Sequence, residues 1–157
     1  MIEIEGVLRP VGRVGILVSR YHERVTARLL DGALACCQEA GIPEDQVEVI
    51  RVAGAFELGI AAAAAITTDR YACLVALGVV VRGETPHFEY VAGETARMLA
   101  ELSIRELIPI GFGVLTTETL EQALARAGGA AGNKGYEATD AAIRSADLLS
   151  RLPHPDD

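Results

Sequence analysis

The chain has 157 residues, enough for one compact domain with a sizeable buried core. Half of the residues are apolar, and 22 acidic side chains against 14 basic ones leave a formal charge of −8. So acidic a surface excludes nucleic acid and anionic membranes as electrostatic partners, and an anionic substrate has to be held by a few local cations against the global field.

The chain starts Met1-Ile2-Glu3-Ile4-Glu5, without the basic start and apolar core of a signal peptide, and residues 1–12 read as an N-terminal arm. Residues 13–19 (RVGILVS) form a short apolar run rich in β-branched side chains, which predicts a buried strand. From 23 to 41 the apolar positions Val25, Leu29, Leu30, Ala33, Leu34 and Cys37 recur at helical spacing, with Gly41 as the stop. A second strand is predicted over 47–53 (VEVIRVA), an alanine-rich helix over 57–68, and the most buried strand over 72–81 (ACLVALGVVV). That last apolar run is about half the ~20 residues a membrane span requires, which excludes a transmembrane protein. A helix over 86–102, a fourth strand within 107–115, and helices over 118–127 and 134–152 complete the pattern, with residues 153–157 as a loose tail.

Strands alternating with helices predict an α/β fold in which helices flank both faces of a four-stranded parallel sheet, all within a single domain over 1–157. Cys36, Cys37 and Cys73 include no CxxC pair and no Cys/His spacing suited to zinc. They read as buried, reduced thiols, so no metal is expected and the compartment is expected to be cytoplasmic. Lys134 is the only lysine, which leaves one candidate for any enzyme-bound Schiff base.

In a parallel α/β sheet, ligands bind where strands turn into helices at the carboxyl edge. The turn after the third strand is Arg82-Gly83-Glu84-Thr85-Pro86-His87. Gly83 for a tight bend, Thr85 as N-cap and Pro86 at the first helical position explain half of it as a helix start. A histidine in the first turn is not explained that way, since an imidazolium opposes the helix dipole. His87 beside free backbone N–H groups, which attract anions, is placed to act as a general base. Tyr21 follows the first strand and Phe56 the second; they either pack in the core or form a slot in which a flat heterocycle stacks. Glu57 either complements a helix dipole or accepts hydrogen bonds from a polyol or ring N–H. Arg126 and Lys134 flank a glycine-rich connection and are either solvated helix-end charges or the cations an anionic ligand needs.

Four segments carry a family resemblance: 78–94 (GVVVRGETPHFEYVAGE), 52–58 (VAGAFEL), 112–123 (FGVLTTETLEQA) and 126–135 (RAGGAAGNKG). In this order, and over nearly the whole chain from about Gly6 to Leu149, the sequence resembles the 6,7-dimethyl-8-ribityllumazine synthases of riboflavin biosynthesis. The resemblance implies a flavodoxin-like three-layer sandwich, assembled into pentamers with active sites between neighbouring subunits. It also implies an icosahedral cage of pentamers in the cytoplasm, with riboflavin synthase as a further partner. The implied enzyme is a cofactor-independent transferase that condenses 5-amino-6-(D-ribitylamino)uracil with 3,4-dihydroxy-2-butanone 4-phosphate, releasing phosphate and water. The Schiff base uses the substrate's own amine, so a chain with one lysine is compatible with it.

By motif, His87 resembles the proton-transfer histidine, and Arg126 the phosphate-binding arginine that reaches in from the next subunit. Gly83, Glu84 and Thr85 match the phosphate turn, Ala55, Phe56 and Glu57 the ribityl and ring contacts, and Tyr21 the stacking aromatic. Val80 and Val81 match the backbone along the pyrimidine edge, while Phe112 and Lys134 match further pocket positions. Departures are Gly59 for the usual proline, Tyr21 for Phe or Trp, His22 for Asn, and Arg144-Ser145 for Glu-Met. Two rival readings are a non-catalytic binder of flavins or pteridines on the same fold and a shell protein whose task is enclosure.

Overall fold

The computed structural model describes residues 1–157. Its four main strands are β1 (Val14–Ser19), β2 (Val47–Val52), β3 (Cys73–Val81) and β4 (Ile110–Thr117). They pair in the order β2-β1-β3-β4, parallel throughout. The helices that return the chain are α1 (Glu23–Glu39), α2 (Leu58–Thr67), α3 (His87–Glu106), α4 (Leu120–Ala125) and α5 (Lys134–Arg151). The expected α/β sandwich is present, with its strand order reversing direction between β1 and β3. That reversal separates the first strand-to-helix turn from the third and opens a crevice at the carboxyl edge.

Alternation along the strands sorts side chains into two cores. Val14, Ile16, Val18, Val75 and Leu77 face α1 and α5, against Val25, Leu29 and Ile143. Leu17, Leu74, Ala76 and Val80 face the other way, against Leu58 and Ala62 of α2 and Leu99 and Leu102 of α3. Covered on both faces, β1 is buried along its whole length and β3 over all but its last residue, which is why both read as continuous apolar runs. The three cysteines are free and buried, and loss of hydration pushes the Cys36 and Cys73 thiols up to about 12 and Cys37 to about 11. No helix is long and apolar enough to cross a membrane.

Helix ends show which local signals acted. Gly41, at φ 79°, closes α1 as anticipated: its N–H donates to Gln38 and that of Ile42 to Cys37, a Schellman arrangement. Asn133 caps α5 by accepting from the backbone N–H groups of Gly135 (2.8 Å) and Tyr136 (3.1 Å). At Gly135 a Cβ would lie 2.0 Å from the carbonyl oxygen of Leu29, so only glycine lets α5 start against α1.

Several boundaries differ from expectation. α3 continues to Glu106, because residues 103–106 carry no breaker, and it ends on Leu107 in the left-handed region (φ 52°). β4 continues through Thr116 and Thr117, whose branched side chains suit a strand. α4 is limited to Leu120–Ala125, with Thr119 rather than Glu118 at its start, capping Gln122 N–H. The glycine-rich connection forms a short antiparallel pair, β5 (Ala127–Gly129) and β6 (Gly132–Asn133).

Asp147 of α5 is fully buried and holds the N-terminal arm, accepting from Val7 N–H (2.8 Å), from Arg151 Nε (2.7 Å) and from Arg9. The Val7 N–H, with the two guanidinium groups, holds this carboxyl below its ordinary range despite its burial.

Candidate active site

A cavity of about 600 Å³ opens at the carboxyl ends of β1, β2 and β3. This is the volume of a pocket for a small organic ligand.

Tyr21 is placed by continuation of the strand geometry: Arg20 N–H donates to Val52 O (2.9 Å) and Tyr21 N–H to Ala53 O (3.0 Å). His22 then turns the chain in the left-handed region (φ 58°), and its ring meets Tyr21 edge-on at 4.5 Å between centroids. Histidine shares with asparagine a raised tolerance for that conformation, so His22 for Asn preserves the turn. After β2, a single 3-10 turn, Ala55–Glu57, buries Ala55 and leaves the Phe56 ring half exposed over the cavity. α2 begins only at Leu58, so Glu57 sits in the turn rather than inside the helix, and its carboxylate lies over Gly54. Where proline is usual, Gly59 packs against the Met98 side chain, at 3.1 Å from where a Cβ would stand.

The third wall comes from the end of β3 and the start of α3. Pro86 stands immediately before the helix and His87 is its first residue; Thr85 therefore lies one position outside the capping site expected of it. Pro86 supplies a fixed φ (−69°) at the entrance, and the hydroxyl of Thr85 is left free of a capping bond. His87 is exposed to the cavity, with no hydrogen-bond or ion-pair partner within the chain. Tyr90, Val91 and Glu94 line the cavity below it. They follow His87 by three, four and seven positions, which is one helix face. That periodicity marks these three residues, which motif reading alone passed over.

Nine of the residues singled out in the sequence thus meet in one cavity: Tyr21, Ala55, Phe56, Glu57, Val80, Val81, Gly83, Thr85 and His87. Glu84 belongs to the same turn but does not line the cavity. Phe112, Arg126 and Lys134 lie elsewhere. Phe112 projects half exposed from β4 into a second groove. Arg126 ends α4 and donates to Gln122 O (2.9 Å), and Lys134 opens α5 beside Glu137 (3.7 Å).

No arginine or lysine lines the cavity, whereas two carboxylates, Glu57 and Glu94, do. The nearest cation in sequence, Arg82, is engaged by Glu89 (3.5 Å), Glu118 (3.4 Å) and the Phe88 ring. One copy therefore offers aromatic surface for a flat ring, strand-end backbone and a carboxylate for its polar edge, and an imidazole for proton transfer. For an anion it offers only the start of α3. No group of three or more His, Cys, Asp or Glu side chains converges as metal ligands would.

Residues 12–150 match the family model described as 6,7-dimethyl-8-ribityllumazine synthase. The chain is also similar to a protein named 6,7-dimethyl-8-ribityllumazine synthase from Chlorobium chlorochromatii (strain CaD3). The two are 42% identical over 151 residues, covering 96% of this chain and 97% of the relative. A match of this length, laid over the strand-end cavity that gathers the motif residues, shows that the chain belongs to the 6,7-dimethyl-8-ribityllumazine synthase family.

Proposed function

We propose that the protein condenses 5-amino-6-(D-ribitylamino)uracil with 3,4-dihydroxy-2-butanone 4-phosphate to give 6,7-dimethyl-8-ribityllumazine, phosphate and water in riboflavin biosynthesis. The observation that carries this reading is the meeting of His87 with the Phe56-Glu57 turn in one cavity at the carboxyl edge of the sheet. In the reaction the pyrimidine's amine attacks the ketone and loses water to form a Schiff base. The phosphate then departs from the four-carbon unit, and the second nitrogen closes the ring with loss of a further water.

The pyrimidine ring stacks between Tyr21 and Phe56, its polar edge against the backbone of Val80 and Val81 and its ribityl chain near Ala55 and Glu57. His87 moves protons during Schiff-base formation and phosphate departure. Gly83, Glu84 and Thr85 present backbone N–H groups and a hydroxyl to the phosphate at the start of α3. Holding two soluble substrates in register contributes roughly 7–11 kcal/mol, against about 10²–10⁴-fold for a general acid–base group. An amine is already nucleophilic, so positioning dominates.

A phosphate dianion beside two carboxylates requires a cation that the cavity's own chain does not supply. We assign this role to Arg126 of a neighbouring copy, with Phe112 and Lys134 contributed across the same boundary. Exposed apolar side chains at Ile104 and Leu107 support self-association, and the assembly proposed is a pentamer, built further into an icosahedral cage. Buried, unpaired cysteines accord with a cytoplasmic location. Riboflavin synthase, which would consume the product, is the further partner.

Incubating the purified protein with both substrates tests the activity. Formation of the fluorescent lumazine with release of one phosphate per product is expected. Tight binding of the pyrimidine or product without turnover would identify a binding protein instead.

A further inference from the structure

We propose that Thr95 is a positioning residue that sets the Phe56-Glu57 turn against the helix bearing His87. Thr95 is fully buried in α3, and its hydroxyl donates to the carbonyl oxygen of Ala55 at 3.3 Å. That oxygen also accepts the backbone N–H of Leu58, the bond that closes the 3-10 turn. The hydroxyl therefore ties the closing carbonyl of one cavity wall to the helix that forms the opposite wall.

A buried threonine inside a helix ordinarily donates to the carbonyl one turn back. Thr139, equally buried in α5, does this, bonding Gly135 O at 2.8 Å. Thr95 has the same local option and bonds across to another element instead. Its place on α3 gives the bond its leverage. His87, Val91 and Thr95 follow one another at four-residue spacing, so they form a single stripe along the helix. The upper two line the cavity, and the third is about 12 Å below His87 along the axis, gripping the turn from beneath. Rotation or sliding of α3 would carry His87 and the Ala55 carbonyl apart together. A rigid second wall matters here because the proposed pyrimidine contacts lie on this turn, and a pre-organised turn spares the ligand the cost of ordering it.

This inference rests on the condensation proposed above. Thr95→Val exchanges the hydroxyl for a methyl group of similar size, and Ala55 O retains its bond from Leu58, so the carbonyl is not left unpaired. One net hydrogen bond corresponds to about a three- to tenfold change, expected as a rise in KM for the pyrimidine, whose contacts lie on the turn, with the KM for the butanone phosphate unchanged. Thr95→Ser is expected to restore the wild-type KM. Amide exchange at Leu58 is expected to quicken in Thr95→Val and to return in the serine variant, whether or not the protein turns over. Wild-type KM values and Leu58 exchange in Thr95→Val, or equal rises for both substrates, would overturn the positioning role. Absence of lumazine formation by the wild-type protein would instead remove the condensation reading, leaving the exchange measurement to decide on Thr95.

Discussion

Two depressions lie at opposite ends of the same sheet, and they differ in chemistry. The cavity at the carboxyl edge, of about 600 Å³, mixes three exposed aromatics (Tyr21, Phe56 and Tyr90) with a histidine, two carboxylates and a helix start. The groove beside the start of β4, of about 430 Å³, has Ile104, Leu107, Phe112 and Leu149 among its walls and no ionisable side chain at all. The first has groups that can orient a ligand and move protons; the second offers mainly apolar surface. One end of the fold thus gathers polar and aromatic groups without a cation, and the other is almost wholly apolar.

The sharpest way to break this division is to charge the contact surface. Replacing Ile104 and Leu107 together by aspartate forces desolvated carboxylates against apolar surface, which costs several kcal/mol. Sedimentation is expected to show separated subunits, with lumazine formation lowered by more than Arg126→Ala alone lowers it, because every residue contributed by the neighbour is lost. Persistence of the assembly would mean that this groove is not where copies meet.

Next in size is the missing cation. Arg126→Ala is expected to raise KM for the butanone phosphate by about 10- to 150-fold, the range for a hydrogen bond to a charged group. The KM for the pyrimidine should stay nearly constant. Equal rises for both substrates in steady-state kinetics would place Arg126 outside the phosphate site.

His87→Ala tests the reactive end itself. A loss in kcat of about 10²-fold or less is expected, because orientation rather than proton transfer carries most of the acceleration. Complete inactivity in a correctly assembled variant would assign the larger share to the imidazole.

The smallest effect concerns the N-terminal arm rather than either depression. The Asp147 carboxyl is held below its ordinary range, so its stabilisation is complete above roughly pH 4 and is lost as pH falls through the lowered value. Asp147→Asn should lower Tm at neutral pH and flatten the acid limb of the Tm–pH curve. A parallel shift of the whole curve would contradict the linkage.

Legibility from sequence followed the same division. Strands covered on both faces announce themselves, so β1 and β3 were readable almost to the residue. Gly41 was readable as a stop because only a left-handed residue closes a Schellman turn. The end of α3 was not, since Leu107 adopts that conformation without any sequence mark and the apolar period fades after Leu102. The β5–β6 pair also escaped, because glycines held by backbone pairing leave no side-chain pattern.

At the reactive end, Tyr21, Phe56 and His87 could be located because each directly follows a strand or opens a helix. The tie from Thr95 to Ala55 could not, as it joins residues 40 apart through one hydroxyl whose local alternative is equally good. Phe112 is recognisable only through family resemblance, and Arg126 and Lys134 show in the sequence only as two cations flanking a glycine-rich connection, because their own chain places all three outside the cavity.

Mixing two disabled variants tests the shared site most directly. His87→Ala and Arg126→Ala chains, unfolded together in equal amounts, reassembled and assayed at butanone phosphate well below the KM of Arg126→Ala, should recover about a quarter of wild-type activity, since a site drawing each residue from a different neighbour is intact at that frequency in a closed ring. Activity no greater than the mean of the two variants alone would show that His87 and Arg126 serve the same chain.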